Sequence, residues 1–115
     1  MYTYEYPRPA VTVDGLIFNK SGEILLIQRA KDPYSGKWAL PGGFLEMDEL
    51  LVDGCHREIE EETCLKVGEL TQFKAYDRIN RDPRGRTISV VCMISAVFTA
   101  IGFCVGIGVR LGCAV

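Results

Sequence analysis

Apolar and polar residues alternate near the start of the chain, in the stretch AVTVDGLIFN at residues 10–19. A period of two is typical of a β-strand with one buried face. The turn-forming sequence NKSG follows, and EILLIQRA at residues 23–30 then predicts a second strand. We therefore expect the fold to begin with an antiparallel hairpin.

The hydrophobic period becomes helical after Asp48, which we predict as the N-cap of a helix that ends near Thr63. Glycine inside a helix costs about 1 kcal/mol relative to alanine. We therefore expect Gly54 to allow close packing of this helix on a sheet. Three apolar residues recur at four-residue intervals on the predicted buried face: Leu51, Cys55 and Ile59.

The rest of the chain predicts more strands around this one helix. Residues 31–43 are rich in turn formers and predict a loop with one short strand. Residues 66–79 predict a turn and a strand, residues 80–86 a polar loop, and residues 87–100 a further strand. Strands on both sides of a single helix indicate an α/β fold with α+β layering.

Composition limits the classes of function. A chain of 115 residues with 48% hydrophobic content fits one domain, and 13 basic against 15 acidic residues give no field that would attract nucleic acid or an anionic membrane. The five cysteines form no CxxC pair, which argues against a zinc site or a disulfide framework. The N-terminus has no secretory pattern, so we expect a reducing, cytoplasmic location.

The predicted helix carries three carboxylates on one face. Glu58, Glu61 and Glu62 stand at positions i, i+3 and i+4, whereas Glu60 points away. Such oxygen ligands suit Mg²⁺, with Mn²⁺ as an alternative ion. A bare run of glutamates is more often a solvated helix face, with its charge offset here by His56, Arg57 and Lys66.

The context of these glutamates resembles the signature of the Nudix hydrolases, G-x5-E-x7-R-E-U-x-E-E-x-G-U, where U is apolar. Cys64 is the single departure, because the signature has glycine there. A left-handed cysteine at that helix end would cost roughly 1–2 kcal/mol. The matching residues are Gly43, Glu49, Arg57, Glu58, Ile59, Glu61, Glu62 and Leu65.

This resemblance implies a mixed β-sheet with the loop–helix–loop of the signature packed on it. It implies Glu58, Glu61, Glu62 and the backbone carbonyl of Gly43 as metal ligands, with Glu49 a lesser contributor. Arg57 would orient a glutamate, and Glu58 and Glu61 would be catalytic together with Arg57. Residues 1–97 would form the Nudix domain, with incomplete C-terminal elements, and residues 98–115 an atypical apolar tail.

The loop RDPRGRTIS, residues 81–89, is similar to that of ADP-ribose pyrophosphatases within the family. The resemblance implies Mg²⁺-dependent hydrolysis of a nucleoside diphosphate linked to another group, with ADP-ribose giving AMP and a sugar phosphate. Arg29, Arg84 and Arg86 are the candidate substrate-binding residues. The alternatives are a nucleoside triphosphate pyrophosphohydrolase and a non-catalytic nucleotide- or metal-binding module. A homodimer is compatible with either class.

Residues 88–109 contain no charged side chain. Three interpretations compete: a strand followed by a membrane anchor, two buried strands, or a chain altered after about Val97 by a frameshift or truncation. We favour the last, because this end does not resemble the continuation of related hydrolases. The general base that such enzymes commonly carry on a later loop is missing, since residues 83–115 contain no Asp or Glu. Glu61 or Glu58 would then replace it.

Overall fold

The computed structural model describes residues 3–19, 22–29 and 36–95, together with the backbone of residues 109–113. These residues form one helix and seven strands. The elements are β1 Ala10–Phe18, β2 Glu23–Gln28, β3 Trp38–Ala39, β4 Gly42–Phe44, α1 Leu51–Thr63, β5 Thr71–Tyr76, β6 Thr87–Ser95 and β7 Val109–Cys113.

Strand β1 is the centre of the sheet. It pairs antiparallel with β2 and β4, and parallel with β6 over its whole length, from Ala10 opposite Thr87 to Phe18 opposite Ser95. The main path of the sheet runs β3-β2-β1-β6-β5, with β7 also pairing with β2. The expected hairpin and the expected mixed sheet of a layered α/β fold are both confirmed.

Helix α1 packs closely on β1 because Gly15 has no side chain. A Cβ atom at Gly15 would lie only 2.6 Å from Ile59 Cδ1. Ile59 is fully buried and belongs to the main core with Val13, Ile17 and Cys92. The helix is thereby fixed at Ile59, between the glutamates at positions 58 and 62.

Two local expectations about the helix are wrong. The N-cap is Leu50 rather than Asp48, and no side chain caps the helix. Gly54 packs against the preceding loop and not the sheet, since its Cβ would lie 2.9 Å from Leu45 Cδ1 and 2.8 Å from Glu49 Oε1. The segment at residues 31–43 contributes two short strands, β3 and β4, where one was expected.

The helix ends at Thr63 as predicted, and Cys64 follows in the left-handed conformation with φ of 62°. Its N–H donates a 2.9 Å hydrogen bond to the Glu60 carbonyl.

Most of the apolar tail lies outside the described residues, so its three interpretations and the domain limit at residue 97 stay predictions. Within the part of the chain that the structure describes, no helix is long and apolar enough to cross a membrane.

Candidate active site

The carboxylates of Glu58 and Glu62 meet the backbone of β4. A Cβ atom at Gly43 would lie 2.7–2.8 Å from the Glu58 carboxylate, so a side chain there would displace it. The Gly42 backbone lies near the Glu62 carboxyl and lowers its pKa, although burial raises that pKa by more. The two glycines therefore let consecutive turns of α1 place two carboxylates directly against the strand.

Glu62 is strained electrostatically. Its Oε2 is buried and has no hydrogen-bond partner among the described residues. Burial raises the pKa of Glu62, and the neighbouring carboxyl of Glu58 raises it further. A buried, unpartnered carboxylate oxygen beside a second carboxylate is the donor set expected for a hard divalent cation. These residues therefore fit the metal that the sequence predicts.

Glu61 differs from the other two predicted ligands. Its side chain is 59% exposed and its Oε2 accepts a 3.2 Å hydrogen bond from Arg57 Nη1. In the described part of the chain, no three Asp, Glu, His or Cys side chains already surround one point as a metal site would. In this conformation Glu61 is therefore bound to Arg57 and not grouped with Glu58 and Glu62.

Arg57 ties the loop before α1 to the helix. Its Nε and Nη2 donate to both oxygens of Glu49, at 2.9 and 2.7 Å, and its Nη1 donates to Glu58 Oε1 at 2.8 Å. Nη2 also donates to the Phe44 carbonyl at 3.2 Å. The hydrogen bond from Arg57 is the main reason that the pKa of Glu49 falls to about 2. Arg57 thus holds Glu58 in place and keeps Glu49 ionised, as a positioning residue.

A cavity of about 620 Å³ opens beside this carboxylate pair. Asp14 and Glu62 line one part of it, and Phe44 with other apolar residues of β2–β4 lines another. Burial raises the pKa of Asp14 to about 6, although the charge of Arg81 opposes the shift. Asp14 is not among the predicted site residues. The polar positions of the alternating strand β1 were the available signal.

Two of the three predicted substrate-binding arginines, Arg29 and Arg84, line the cavity. Arg84 donates hydrogen bonds to the Asp82 carboxylate from Nε at 3.0 Å and from Nη2 at 2.7 Å. The Arg84 guanidinium lies 4.7 Å from the centre of the Phe44 ring. Arg86 instead lines a smaller recess and donates to the Asp77 carbonyl. Arg81, which is not one of the three predicted substrate-binding residues, lines the main cavity in its place.

Comparison with known proteins places these features in a family. The model of the NUDIX domain matches residues 8–100. An ADP-ribose pyrophosphatase of Methanocaldococcus jannaschii is 44% identical over 92 residues, which is 80% of this chain and 54% of the relative. The chain therefore spans about half the length of that curated relative.

Solved structures agree with this match. The NUDIX domain of Shewanella oneidensis NrtR, complexed with ADP ribose, superposes with a TM-score of 0.83 at 26% identity, over 93% of this chain and 74% of that one. A bifunctional NMN adenylyltransferase/ADP ribose pyrophosphatase of Francisella tularensis, complexed with AMP and a manganese ion, gives 0.82 at 32% identity, over 94% and 35%. This chain belongs to the NUDIX family.

Proposed function

We propose that the protein is a divalent-metal-dependent hydrolase of nucleoside diphosphates linked to another group, with ADP-ribose or a related nucleotide sugar as substrate. The observation that carries this proposal is one cavity that joins the carboxylate of Glu62 to the guanidinium groups of Arg29, Arg81 and Arg84. Carboxylates that bind a metal and arginines that bind phosphate oxygens are what a diphosphate requires. The M. jannaschii relative supports the choice of ADP-ribose.

Glu58, Glu62, a rotated Glu61 and the Gly43 carbonyl are the proposed ligands of Mg²⁺ or Mn²⁺. When bound, the ion would lower the pKa of a water molecule and neutralise charge on the diphosphate. Arg57 keeps Glu58 oriented through the 2.8 Å hydrogen bond, and the cavity arginines bind the phosphate oxygens.

Hydrolysis forms a bond from water oxygen to phosphorus and breaks the bridging P–O bond, so that AMP and a sugar phosphate leave. The proton of the attacking water passes to Glu61, or to Glu58 as the alternative acceptor. Glu61 is the better placed of the two for this transfer, because its carboxylate is exposed rather than packed on β4.

A second candidate is a NUDIX domain that binds ADP-ribose without hydrolysing it. One observation favours it: the likeness to the NUDIX domain of S. oneidensis NrtR, which was solved in complex with ADP ribose. Nucleoside triphosphates remain the alternative substrate within the enzyme class. A cytoplasmic location and a homodimer remain predictions.

The purified protein should be incubated with ADP-ribose, other nucleotide sugars and nucleoside triphosphates, in Mg²⁺, Mn²⁺ or EDTA, and AMP release followed by chromatography. We expect metal-dependent AMP release from ADP-ribose. Glu62→Gln should reduce it by at least about 100-fold. Glu60→Gln is the matched control on the same helix and should leave it unchanged, because the Glu60 side chain forms a 3.8 Å surface pair with Lys66 and does not line the cavity.

Each alternative has its own result in this assay. Binding of ADP-ribose without AMP release would replace the hydrolase by the binding domain. If pyrophosphate is released from nucleoside triphosphates and AMP is not released from ADP-ribose, the substrates are nucleoside triphosphates instead of nucleotide sugars. Equal activity of Glu62→Gln and Glu60→Gln would show that the catalytic metal does not bind to the glutamates of α1.

A further inference from the structure

Two buried thiols that the proposed hydrolysis does not use lie in the core between the helix and the sheet. Cys55 belongs to α1 and Cys92 to β6. Both are free cysteines with fully buried side chains, and both belong to the main apolar cluster. A single buried cysteine behaves as a small apolar residue. Two cysteines that meet from different elements can also form a bond that joins those elements.

Gly15 is the reason that the two thiols can meet. It is the register partner of Cys92 on the parallel strands β1 and β6. Cys55 Sγ lies 3.6 Å from the point at which a Cβ atom of residue 15 would stand. Since glycine has no side chain, nothing at this position of β1 separates the helix thiol from the neighbouring strand. The two sulfur atoms therefore approach each other from α1 and from β6.

Burial controls when these thiols can react. Burial and, to a smaller extent, the neighbouring thiol of Cys92 raise the pKa of Cys55 to about 12. Burial also raises the pKa of Cys92. The thiolate is the reactive form, so both groups are inert while the helix is in place. Oxidation therefore requires a local opening of α1, and reclosure of the helix then brings the second sulfur to the first.

We propose that Cys55 and Cys92 form an oxidisable pair whose disulfide bond cross-links α1 to β6 under oxidising conditions. The oxidant is a small disulfide such as oxidised glutathione. The first exposed thiolate attacks it, releases one glutathione and forms a mixed disulfide. The second thiolate attacks the protein sulfur of that bond and releases the second glutathione. The two cysteines lose two protons and two electrons, and the oxidant takes up both.

The cross-link acts on the helix that carries the proposed metal ligands. Cys55 precedes Glu58 by three residues on α1. Neither cysteine lines the main cavity, so the bond leaves the cavity open. It limits the opening of α1 instead. This inference is independent of the substrate proposed above, because it concerns only the attachment of the helix to the sheet.

The test compares the oxidised and reduced forms of the full chain. The wild-type protein is equilibrated in EDTA with oxidised glutathione, without urea and in urea below the unfolding transition, and its cysteine pairs are identified by peptide mass spectrometry. Thermal unfolding is measured in a variant whose remaining cysteines, Cys64, Cys104 and Cys113, are replaced by serine. Cys55→Ala and Cys92→Ala in that variant are the matched controls.

We expect a linked peptide pair that contains Cys55 and Cys92 and has lost two hydrogen atoms. The rate of its formation should rise with urea, because opening precedes reaction. The melting temperature of the oxidised form should exceed that of the reduced form by at least about 5 °C, since closing a long loop of chain stabilises a small domain. Dithiothreitol should reverse this shift. Neither alanine control should change its melting temperature on oxidation.

Persistence of both thiols in oxidised glutathione, at every urea concentration below the unfolding transition, would overturn the proposal. Stable mixed disulfides with glutathione at Cys55 and Cys92 would also overturn it, because they would show that the two sulfur atoms do not meet. A linked pair with an unchanged or lower melting temperature would refute the stabilising cross-link. If an alanine control does not fold, the peptide pairs of the wild type and the melting temperatures of its two forms decide.

Discussion

The contact between Gly15 and Ile59 makes a quantitative prediction about how packing supports the site. In Gly15→Ala the new methyl group would lie 2.6 Å from Ile59 Cδ1 and 2.8 Å from Cγ1. Carbon atoms in contact are normally about 3.5–4.0 Å apart, so one side chain or the helix must move by about 1 Å. Overpacking of this kind typically costs about 1–3 kcal/mol.

Two smaller effects adjust this figure. Alanine lowers the conformational entropy of the unfolded chain, which raises the free energy of unfolding by about 0.4–1 kcal/mol. Ile59→Val removes Cδ1, the nearer clashing atom, and alone costs about 0.5–1.5 kcal/mol. In the double variant the clash with Cδ1 is gone, whereas the contact of 2.8 Å with Cγ1 remains, so the relief is partial. We therefore expect the double variant to be more stable than the sum of the single effects by about 1 kcal/mol.

Urea denaturation in EDTA measures the free energy of unfolding for all four proteins of this cycle. A parallel titration with Mg²⁺ tests the site. Gly15→Ala should weaken metal binding, because Ile59 lies between Glu58 and Glu62, and the double variant should restore it. Additive unfolding free energies, within about 0.5 kcal/mol, would show that helix and strand are not in the tight contact described here.

Four further predictions concern the site and its supports. Glu62→Gln should raise the melting temperature in EDTA and abolish any increase caused by Mg²⁺, because it removes one of two adjacent carboxylates; an intact Mg²⁺ effect would contradict this. Cys64→Gly should be about 1 kcal/mol more stable than Cys64→Ser in reducing buffer, since both lose the sulfur and only glycine takes φ of 62° without strain; equal stabilities would contradict it. Arg84→Ala should raise KM for ADP-ribose more than it lowers kcat, whereas Arg86→Ala should leave both unchanged, and steady-state kinetics separates the two cases. The pKa of Glu49 is lowered, so its contribution to stability is present above its usual pKa of 4.5 and is lost as the pH falls towards 2. Acid unfolding followed by circular dichroism should therefore show this loss of stability in the wild type and not in Glu49→Gln.

Local periodicity predicted much of the fold. The alternation in β1 and the four-residue spacing around Ile59 depend only on neighbours in the chain, so their elements could be placed from the sequence. The helix start could not be placed this way. Glu49 binds Arg57 and also accepts the Glu46 N–H at 2.9 Å, so the loop stays folded past Asp48 and the helix begins later.

The composition of the cavity was the least predictable part of the site. Asp14 and Arg81 meet there because β1 pairs in parallel with β6, whose residues lie 77 positions further along the chain in register. Nothing local in the sequence specifies that pairing. Within the loop before β6, Arg86 donates to the Asp77 carbonyl, nine residues earlier in the chain, and so does not line the main cavity.

Alternate residues of strand β1 face opposite sides of the sheet and contribute to two different surfaces. Thr12 and Asp14 line the cavity, whereas Val13, Gly15 and Ile17 face the helix and its core. An insertion of one residue in this strand would exchange the two sets and destroy both surfaces at once. In a library of all single substitutions, scored separately for folding and for turnover, the two phenotypes should therefore alternate along β1 with a period of two.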